Sequence, residues 1–337
     1  MNRMAVRLKD IAADLGVSTV TVSKVLRGGL DISERTRARV LKRMAELNYQ
    51  PNMQARGLAS GRSFAVGLIV PDLVHPFFGE FAKHLAGALR ASGLALVLAS
   101  SEEDPEIERQ EIRTLVNRGI DVLVVASCQG IQEAEFVSSG GPPILLIDRN
   151  IPRLKADFVG SNDVLVGELA TRHLIALGRR RIAHIGGHGT SPAIDRFKGF
   201  RNALSVAGMK LPKNYVVTRE RFEESGDSAG YRAMQDLLAQ KHPPDAVFCY
   251  NDLSAIGAME AAMQAGLSIP GDIAFAGCGN LRYAEYLKVP LTSVDQSIER
   301  MGETAARRVL TLSTEPDDPP RTSFVEPRLI VRQSTVA

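Results

Sequence analysis

The sequence predicts two unlike parts, a small all-α head with a helix-turn-helix and an α/β core of two similar parallel-sheet lobes. Two short amphipathic segments separated by a glycine open the chain. From Phe64 onward, apolar strand-like segments alternate with amphipathic helix-like segments, and this alternation starts again near residue 163. Near-continuous apolar strands between such helices are typical of a parallel sheet with helices on both faces. The two rounds of alternation therefore predict two lobes with a cleft between them.

The head begins with residues 8–27, LKDIAADLGVSTVTVSKVLR. Apolar residues recur on one face of a first helix until Gly16 breaks the pattern, and Ser18 is placed to cap a second helix. Two short helices joined by such a turn form a helix-turn-helix, which also occurs in proteins that never bind DNA. The outward face of the second helix carries side chains that suit base edges and phosphates in a major groove: Thr19, Val20, Ser23 and Lys24.

Charge separates the head from the core. Residues 1–62 hold 12 lysines and arginines against 5 acidic residues, whereas the rest of the chain holds 29 against 33. A basic head on a mildly acidic body is expected of a nucleic-acid-binding module attached to another domain. A third helix is predicted after the cap residue Ser33. Its inward face is apolar: Val40, Leu41, Met44 and Leu47. Its outer face is basic: Arg35, Arg37, Arg39, Lys42 and Arg43.

The predicted domains are a head of residues 1–50, a linker of residues 51–62, and two lobes. The linker could form a short helix from Pro51, but a helix of about two turns is not stable alone in water. The first lobe comprises residues 63–160 together with about 291–320, and the second comprises residues 161–290 together with about 321–337. Ligands of such sheets bind beyond the carboxyl ends of the strands, so the cleft is the predicted ligand site.

Several function classes are disfavoured by what the sequence lacks. The start MNRMAVRLKD has no apolar signal-peptide core and no run approaches the length of a membrane span, so we expect a cytoplasmic protein with no membrane partner. Cys128, Cys249 and Cys278 have no metal-ligand spacing. The segment GGHGTS at 186–191 lacks the pattern of a phosphate-binding loop, and no nucleophile elbow occurs. We therefore predict no enzyme activity, no catalytic residues, no metal and no cofactor.

Several longer motifs occur in a characteristic order. The most specific are LKDIAADLGVSTVTVSKVL, ISERTRARVLKRMAELNYQPN and ARGLASGRS, followed in the core by RIAHIGG, SIPGDIAFAG and LTSVDQ. In this order and spacing they resemble the LacI family of bacterial transcriptional repressors over essentially the whole chain. The resemblance implies a periplasmic-binding-protein-like core, a homodimer, and binding to a palindromic double-stranded DNA operator under the control of a small-molecule effector.

The resemblance also implies DNA-binding roles for particular residues. Thr19 and Val20 begin the recognition helix and read bases, with Ser23 and Lys24 in support. Residues 52–58 resemble a hinge helix that orders on the operator, and its leucine is an apolar wedge in the minor groove. The linker residues implied to bind DNA are Asn52, Arg56 and Leu58. One departure is Arg7, which stands where the family usually has a threonine as the cap of the first helix.

For the effector, the resemblance implies a site in the cleft. The predicted set is Phe77, Phe78, Asp148, Arg149, Arg196, Asn251, Asn280 and Gln296. The two phenylalanines can pack on the apolar face of a sugar, and Arg196 can donate a planar fork to vicinal hydroxyls or a carboxylate. Residues 277–280, GCGN, lack the acidic residue of many sugar-responsive members. The sequence therefore leaves two classes of effector open, a sugar acid and a neutral sugar.

Two other interpretations stay open from the sequence. A solute-binding protein of a transport system would share the core, but it requires a signal peptide and leaves residues 1–62 without a role. A regulator that is controlled by a protein partner and binds no effector would also contain the DNA-binding head. We expect a dimer because reading a palindrome requires two-fold symmetry, and no leucine heptads follow the last strand to form a tetramer. The sequence does not distinguish induction from co-repression by the effector, because both would use the same residues.

Overall fold

The computed structural model describes residues 6–26, 31–49, 61–129, 141–187, 189–218 and 226–336. The chain divides into two compact units, one of residues 1–63 and one of residues 64–337. Among the residues described, no helix has both the length and the apolar character needed to cross a bilayer.

The first unit contains three helices, α1 (Leu8–Leu15), α2 (Thr19–Leu26) and α3 (Glu34–Glu46). Their shared core consists of Ile11, Ala12, Val22, Val25, Val40 and Met44. Gly16 ends α1 in the left-handed region at φ +64°, which glycine adopts without steric cost. Leu41 was expected to face inward, but it is 50% exposed. The prediction was wrong at this position because Val40 and Met44 already fill the face that contacts α1 and α2.

Side chains cap the beginnings of these helices. The Ser18 Oγ accepts from the Thr21 backbone N–H at 3.0 Å, and the Ser33 Oγ accepts from the Thr36 N–H at 3.3 Å. At α1, where Arg7 replaces a threonine cap, the Asp10 carboxylate accepts from the Arg7 backbone N–H at 2.8 Å. The aspartate therefore satisfies a backbone donor at this end of the helix from within its first turn.

The second unit begins with the first lobe and continues into the second. The first lobe opens with β1 (Ala65–Val70), α4 (Pro76–Arg90), β2 (Ala95–Ser100), α5 (Pro105–Asn117), β3 (Val122–Val125), β4 (Ile144–Ile147) and β5 (Asp157–Ser161). The second lobe follows with α6 (Asp163–Ala176), β6 (Ile182–Gly186), α7 (Ser191–Val206), β7 (Val216–Thr218), α8 (Gly226–Leu238), β8 (Ala246–Cys249), α9 (Asp252–Gln264), β9 (Ala274–Cys278) and β10 (Thr292–Asp295). The chain then returns through α10 (Ile298–Thr314), β11 (Thr322–Val325) and β12 (Arg328–Ile330).

The two sheets share one strand order. The first is β11-β5-β4-β3-β1-β2, parallel throughout, and the second is β12-β10-β9-β8-β6-β7, in which only β12 runs antiparallel to its neighbour. Helices cover the apolar faces of both sheets, as a parallel sheet requires. The predicted two-lobed fold class is confirmed.

The strand β5 was not expected from the sequence. Its residues DFVGS carry a charge at one end and a hydroxyl at the other, so they lack an apolar run. The buried Asp157 is nevertheless satisfied, because Arg308 of α10 donates Nε to its Oδ1 at 2.5 Å and Nη2 to its Oδ2 at 3.0 Å. A buried carboxylate is tolerated in a strand when a guanidinium pairs with it in this bidentate way.

The chain crosses between the lobes at three places, and two differ from the predicted boundaries. The crossings lie between β5 and α6, between β10 and α10, and between β11 and β12. Residues 291–296 were assigned to the first lobe, but β10 pairs with β9 of the second sheet. Residues 321–325 were assigned to the second lobe, but β11 pairs with β5 of the first. Strand pairing decides lobe membership here, and short strands of similar composition carry no local signal of their partner.

A pH dependence of stability follows from His184 on β6. Its ring packs nearly parallel to those of Phe200 and Phe248 at centroid distances of 5.1 and 4.9 Å, and its Nδ1 lies 2.9 Å from the Phe248 carbonyl oxygen. Burial lowers the pKa of His184 from 6.5 to about 4. Between these two pKa values His184 is protonated in the unfolded chain but neutral in the folded chain. The free energy of unfolding therefore falls as the pH drops from 6.5 towards 4, by up to about 3 kcal/mol.

We expect His184→Phe to flatten this dependence, since phenylalanine keeps the stacked ring without a titrating group. Denaturant unfolding of wild type and variant at pH 7 and pH 5 measures the difference. The exposed His242, changed to phenylalanine, is the control. An equal loss of stability on acidification in wild type and His184→Phe would contradict the prediction.

Candidate functional site

The second helix of the head presents the side chains that the sequence assigned to DNA. Val22 and Val25 of α2 are buried, whereas Thr19 is exposed and Val20 is 58% exposed. An apolar side chain this exposed at the start of a helix suits a contact with a thymine methyl group. The helix thus offers a face of the chemistry that a major groove requires.

Ser23 and Lys24 on the same helix are half-buried. The Lys24 ammonium is hydrogen-bonded to the Asp31 carboxylate, and this bond holds the pKa of Asp31 below its ordinary value. Asp31 is an exposed residue that precedes α3. A DNA phosphate that binds Lys24 must therefore compete with a carboxylate of the protein itself.

Two arginines of the predicted basic face of α3 hold the head together. Arg43 donates Nη2 and Nε to the Asp14 carboxylate at 2.6 and 3.0 Å and also pairs with Glu46. Arg39 donates Nη2 to the Leu15 carbonyl oxygen at 3.1 Å. Both arginines link α3 to α1. Their structural role cannot be inferred from their charge alone. The linker residues assigned to DNA, Asn52, Arg56 and Leu58, lie outside the residues that the structure describes.

A cavity lies between the two lobes at the carboxyl ends of their strands. Its volume is about 20 Å³, room for about one water molecule. A sugar therefore requires the lobes to part or the lining side chains to move. The lining residues are His75, Phe77, Phe78, Asp148, Arg196, Tyr250, Asn251, Cys278, Gly279 and Gln296. Six of the eight residues predicted for the effector are among them.

The aromatic wall of the cavity comes from the first turn of α4. His75 is the N-cap of this helix, and its Nδ1 accepts from the Phe77 backbone N–H at 3.3 Å. Pro76 occupies the first helical position, where its missing N–H costs no hydrogen bond. The rings of Phe77 and Phe78 meet edge to face with centroids 5.1 Å apart. Together they form a rigid apolar surface of the kind that packs on a sugar ring.

Asp148 supplies a carboxylate from the first lobe. It follows β4 directly, is buried, and has a left-handed backbone with φ +58°. Its N–H donates to the Val159 carbonyl oxygen of β5 at 3.0 Å, which holds this conformation in place. A non-glycine residue in this region is uncommon and is often found at functional sites.

Arg196 supplies a guanidinium from the second turn of α7. It is 3% exposed, donates Nε to the Asp163 Oδ1 at 2.7 Å and Nη1 to the Tyr250 carbonyl oxygen at 2.8 Å, and its Cζ lies 4.8 Å from the centre of the Tyr250 ring. Burial raises the pKa of Asp163 to about 6, against the opposing effect of Arg196. At neutral pH the aspartate therefore balances the charge of the guanidinium inside the protein.

Asn251 and Asp252, at the start of α9, organise the opposite wall. The Asn251 Oδ1 caps the helix by accepting from the Ser254 N–H at 2.9 Å, and its Nδ2 lies 3.4 Å from the His75 Nε2 across the cleft. The buried Asp252 accepts from the Leu281 N–H at 2.8 Å and from the Ser293 Oγ at 2.6 Å. These bonds fix the chain after β9 and hence the position of Cys278 in the cavity wall.

Gln296 lies at the crossing between β10 and α10 and is 2% exposed. Its Nε2 is buried without a hydrogen-bond partner among the described residues. A buried amide donor without a partner costs about 1–3 kcal/mol, so proteins seldom keep one that no ligand or water satisfies. The amide therefore requires an acceptor oxygen, which a ligand or a water in the cavity can supply.

Two of the predicted effector residues do not line the cavity. Arg149 donates Nη2 to the Glu103 carboxylate at 2.8 Å and Nη1 to the Ser127 carbonyl oxygen at 3.1 Å, so it ties loops of the first lobe together. Asn280 lines a neighbouring pocket of about 550 Å³, and its Oδ1 accepts from the Arg332 Nη2 at 2.7 Å. Their neighbours in sequence, Asp148 and Gly279, line the cavity instead.

Four residues that line the cavity were not among those predicted to bind the effector: His75, Tyr250, Cys278 and Gly279. His75 and Tyr250 adjoin predicted residues in sequence, since they precede the Pro76-Phe77 and Asn251 positions. Cys278 and Gly279 belong to residues 277–280, which were noted as a departure from the family pattern. Cys278 is buried. Burial raises the pKa of its thiol, so it is a neutral part of the wall. Within the described part of the chain, no cluster of three or more His, Cys, Asp or Glu residues could hold a metal ion.

A helix-turn-helix head joined to a two-lobed core with a ligand cavity defines a class of DNA-binding regulators. Comparison with known proteins identifies the family. Residues 7–52 match the model of bacterial regulatory proteins of the lacI family, and residues 171–335 match that of a periplasmic binding protein-like domain. The chain is 33% identical over 328 residues to the ribose operon repressor of Haemophilus influenzae, covering 97% of this chain and 98% of that protein. The chain belongs to the LacI family, which confirms the resemblance seen in the sequence.

Solved structures of the family resemble this one along most of the chain. The lac repressor dimer bound to operator and the anti-inducer ONPF has a TM-score of 0.82 at 25% identity, covering 99% of this chain and 100% of that one. A LacI family transcriptional regulator from Enterococcus faecium with bound ribose has a TM-score of 0.69 at 27% identity, covering 80% of this chain and 98% of that one.

The Lys24–Asp31 pair predicts that Asp31→Asn tightens DNA binding. Removing the carboxylate frees the ammonium for a phosphate, and because an exposed pair of this kind is weak, the affinity should rise by a few-fold at most. The salt dependence should steepen by about one phosphate contact. Fluorescence anisotropy with a labelled random-sequence duplex at several salt concentrations measures both. The control is Asp31→Asn in a Lys24→Ala background, which makes the same change of charge without the ammonium. An equal gain in affinity in both backgrounds would show that Lys24 does not contact phosphate.

Proposed function

We propose that this protein is a transcriptional repressor that binds a palindromic DNA operator as a homodimer, with its affinity controlled by a neutral sugar in the inter-lobe cavity. The head supplies the DNA-reading face of α2, and residues 52–58 supply the hinge contacts. The effector is held by side chains from both lobes. The protein acts in the cytoplasm, where the operator is, and by binding rather than by catalysis.

The observation that carries the ligand class is the balance of charge around the cavity. The Arg196 guanidinium is paired with Asp163, and the Arg149 guanidinium with Glu103. Neither arginine therefore supplies the uncompensated positive charge that an anionic ligand requires when it is desolvated. The lining also contains the buried Asp148, whose carboxylate repels an anionic ligand and accepts from hydroxyls. This balance favours a neutral sugar over the sugar acid that the sequence left open.

The polar groups of the lining match a polyhydroxylated ligand. Arg196 uses only Nε and Nη1 in bonds to described residues, which leaves its second terminal nitrogen for the ligand. The amides of Asn251 and Gln296 donate N–H groups, and Asp148 accepts. The rings of Phe77 and Phe78 cover an apolar face. A few convergent polar groups beside an aromatic wall are the usual form of a small-molecule site. The relative with bound ribose supports the same class of ligand.

The dimer and the operator are supported by the family and by symmetry. Two-fold symmetry in the protein matches a palindromic site, because each head then reads one half-site. The lac repressor, whose structure this chain resembles, was solved as a dimer bound to its operator. We therefore place two copies of this chain on one operator.

A thermal-shift screen of the full chain tests the ligand class. The probes are D-ribose, D-galactose and D-glucose, the three corresponding aldonic acids, ribose 5-phosphate and hypoxanthine. A ligand that binds only the folded state adds about 2.7 kcal/mol at a hundred times its dissociation constant, which raises the melting midpoint by several degrees. We expect a neutral sugar to give a larger shift than its acid.

The control for this screen uses two arginines of one helix. Arg196→Lys keeps the charge beside Asp163 but loses the planar fork, so the shift should disappear. Arg201→Ala removes an exposed arginine five residues further along α7, so the shift should remain. A larger shift with an aldonic acid would overturn the neutral-sugar proposal. The absence of a shift with all eight probes would favour control by a protein partner.

Gln296→Leu should separate stability from ligand binding. Leucine removes the buried Nε2 that lacks a partner among the described residues, so the free protein should melt at the same temperature or slightly higher. Sugar binding should weaken by about tenfold, the effect of losing a hydrogen bond to a neutral group worth about 1.4 kcal/mol. Calorimetric titration and thermal unfolding of the same preparation measure the two effects. A clear loss of stability together with unchanged sugar affinity would give Gln296 a structural role alone.

A further inference from the structure

The helices α6 and α7 of the second lobe pack against each other through two glycines. A Cβ built on Gly167 of α6 would lie 2.0 Å from the carbonyl oxygen of Arg196 and 2.8 Å from the backbone nitrogen of Phe200. A Cβ on Gly199 of α7 would lie 2.0 Å from the carbonyl oxygen of Val164. These neighbours are backbone atoms, which cannot move aside as the end of a flexible side chain can. Each glycine thus lets the other helix approach to backbone contact.

The atoms that these glycines touch belong to the ligand site or adjoin it. Gly167 contacts the backbone of Arg196 itself, and Gly199 contacts the backbone of Val164, the residue after Asp163. The distance between the helix axes at this point therefore sets the 2.7 Å separation of the Arg196 Nε and the Asp163 Oδ1. A methyl group on either glycine would push the guanidinium and the carboxylate apart. Its effect would thus reach the cavity lining without any direct contact with a ligand.

We infer that Gly167 and Gly199 are positioning residues of the effector site, which hold the Arg196 guanidinium where the ligand meets it. This inference rests on the proposed function of the cavity. A binding group must be held within about 0.5 Å of its productive position, and a helix is a precise support for it. The glycines provide this precision because backbone contact leaves no side chain between the helices that could repack.

The same lobe contains a second pair of helices in backbone contact at a glycine, and this pair serves as the control. Between α8 and α9, a Cβ on Gly257 would lie 1.7 Å from the carbonyl oxygen of Asp227, on α8. That contact is at least as close as the one at Gly167. Gly257 lies on α9, whose N-cap is Asn251, but the facing helix α8 contributes none of the residues that line the cavity. Gly257→Ala therefore imposes a comparable packing defect in the same domain and can relax by moving α8.

The test compares Gly167→Ala with Gly257→Ala in the full chain. We expect both variants to melt at a lower temperature. In ligand-free crystal structures, the Arg196 Nε to Asp163 Oδ1 distance should exceed 3.5 Å, the limit of a hydrogen bond, only in Gly167→Ala. Calorimetric titration with D-ribose should show affinity reduced by about tenfold in Gly167→Ala and changed by less than about twofold in Gly257→Ala.

The two readouts distinguish this inference from the proposed function. An unchanged Arg196–Asp163 distance in Gly167→Ala, or an equal loss of D-ribose affinity in both variants, would overturn the positioning role. If wild type does not bind D-ribose, the ribose form of the proposed function fails, and the crystallographic distance still decides the positioning role. Gly199→Ala, which acts on the same contact from the other helix, replaces Gly167→Ala should that variant not fold. If neither folds while Gly257→Ala does, the contact is required for folding and the inference fails.

Discussion

The buried ion pair of Arg196 and Asp163 is the interaction on which the ligand site depends. A guanidinium that is 3% exposed is costly unless its charge is balanced, and here a carboxylate balances it while a carbonyl oxygen and an aromatic ring also contact the group. These partners come from the start of α6 and the end of β8, while the arginine comes from α7. One charged group therefore fixes the ends of three elements at the cavity. Because α6 begins directly after the first crossing between lobes, the pair also anchors the second lobe at its boundary with the first.

The first lobe also contains a buried guanidinium, that of Arg149 at the end of β4. Its guanidinium pairs with Glu103 and donates to the Ser127 carbonyl oxygen, and the nearby Glu108 accepts from the Ser127 Oγ at 2.7 Å and the Cys128 N–H at 2.6 Å. Buried polar groups in both lobes are thus satisfied chiefly within their own lobe. The cavity between them keeps directional hydrogen-bonding groups without a net positive charge. That combination suits recognition of hydroxyl groups, for which geometry matters more than charge.

The order and type of most elements could be predicted from apolar periodicity, and the failures have specific physical causes. A helix such as α10, Ile298–Thr314, is predictable from periodicity because one of its faces is apolar along its whole length. The strand β5 was missed because Asp157 is paired with an arginine 151 residues away, a partner that no local pattern reveals. Lobe membership of β10 and β11 depends on strand pairing for the same reason. In the site, Asp148, Arg196, Asn251 and Gln296, which were predicted from family positions, line the cavity. Arg149 does not, because it pairs with Glu103, a partner that its sequence position cannot reveal.

The small cavity and its contacts determine how a ligand can act on the lobes. In the described structure, the Asn251 Nδ2 lies 3.4 Å from the His75 Nε2, and the Asn150 N–H donates to the Ser191 Oγ at 2.7 Å, so polar contacts join the two lobes directly. A sugar that enters must take over some of these groups and increase the cavity volume. It can shift the equilibrium between lobe arrangements only by the difference between its affinities for them. Complete switching, from about 1% to 99%, requires about 5.5 kcal/mol of such difference, more than a few neutral hydrogen bonds supply. The aromatic wall on α4 and the polar groups on α7 and α9 must therefore both contact the ligand, because only a ligand that bridges the lobes can distinguish their arrangements strongly enough to control DNA binding.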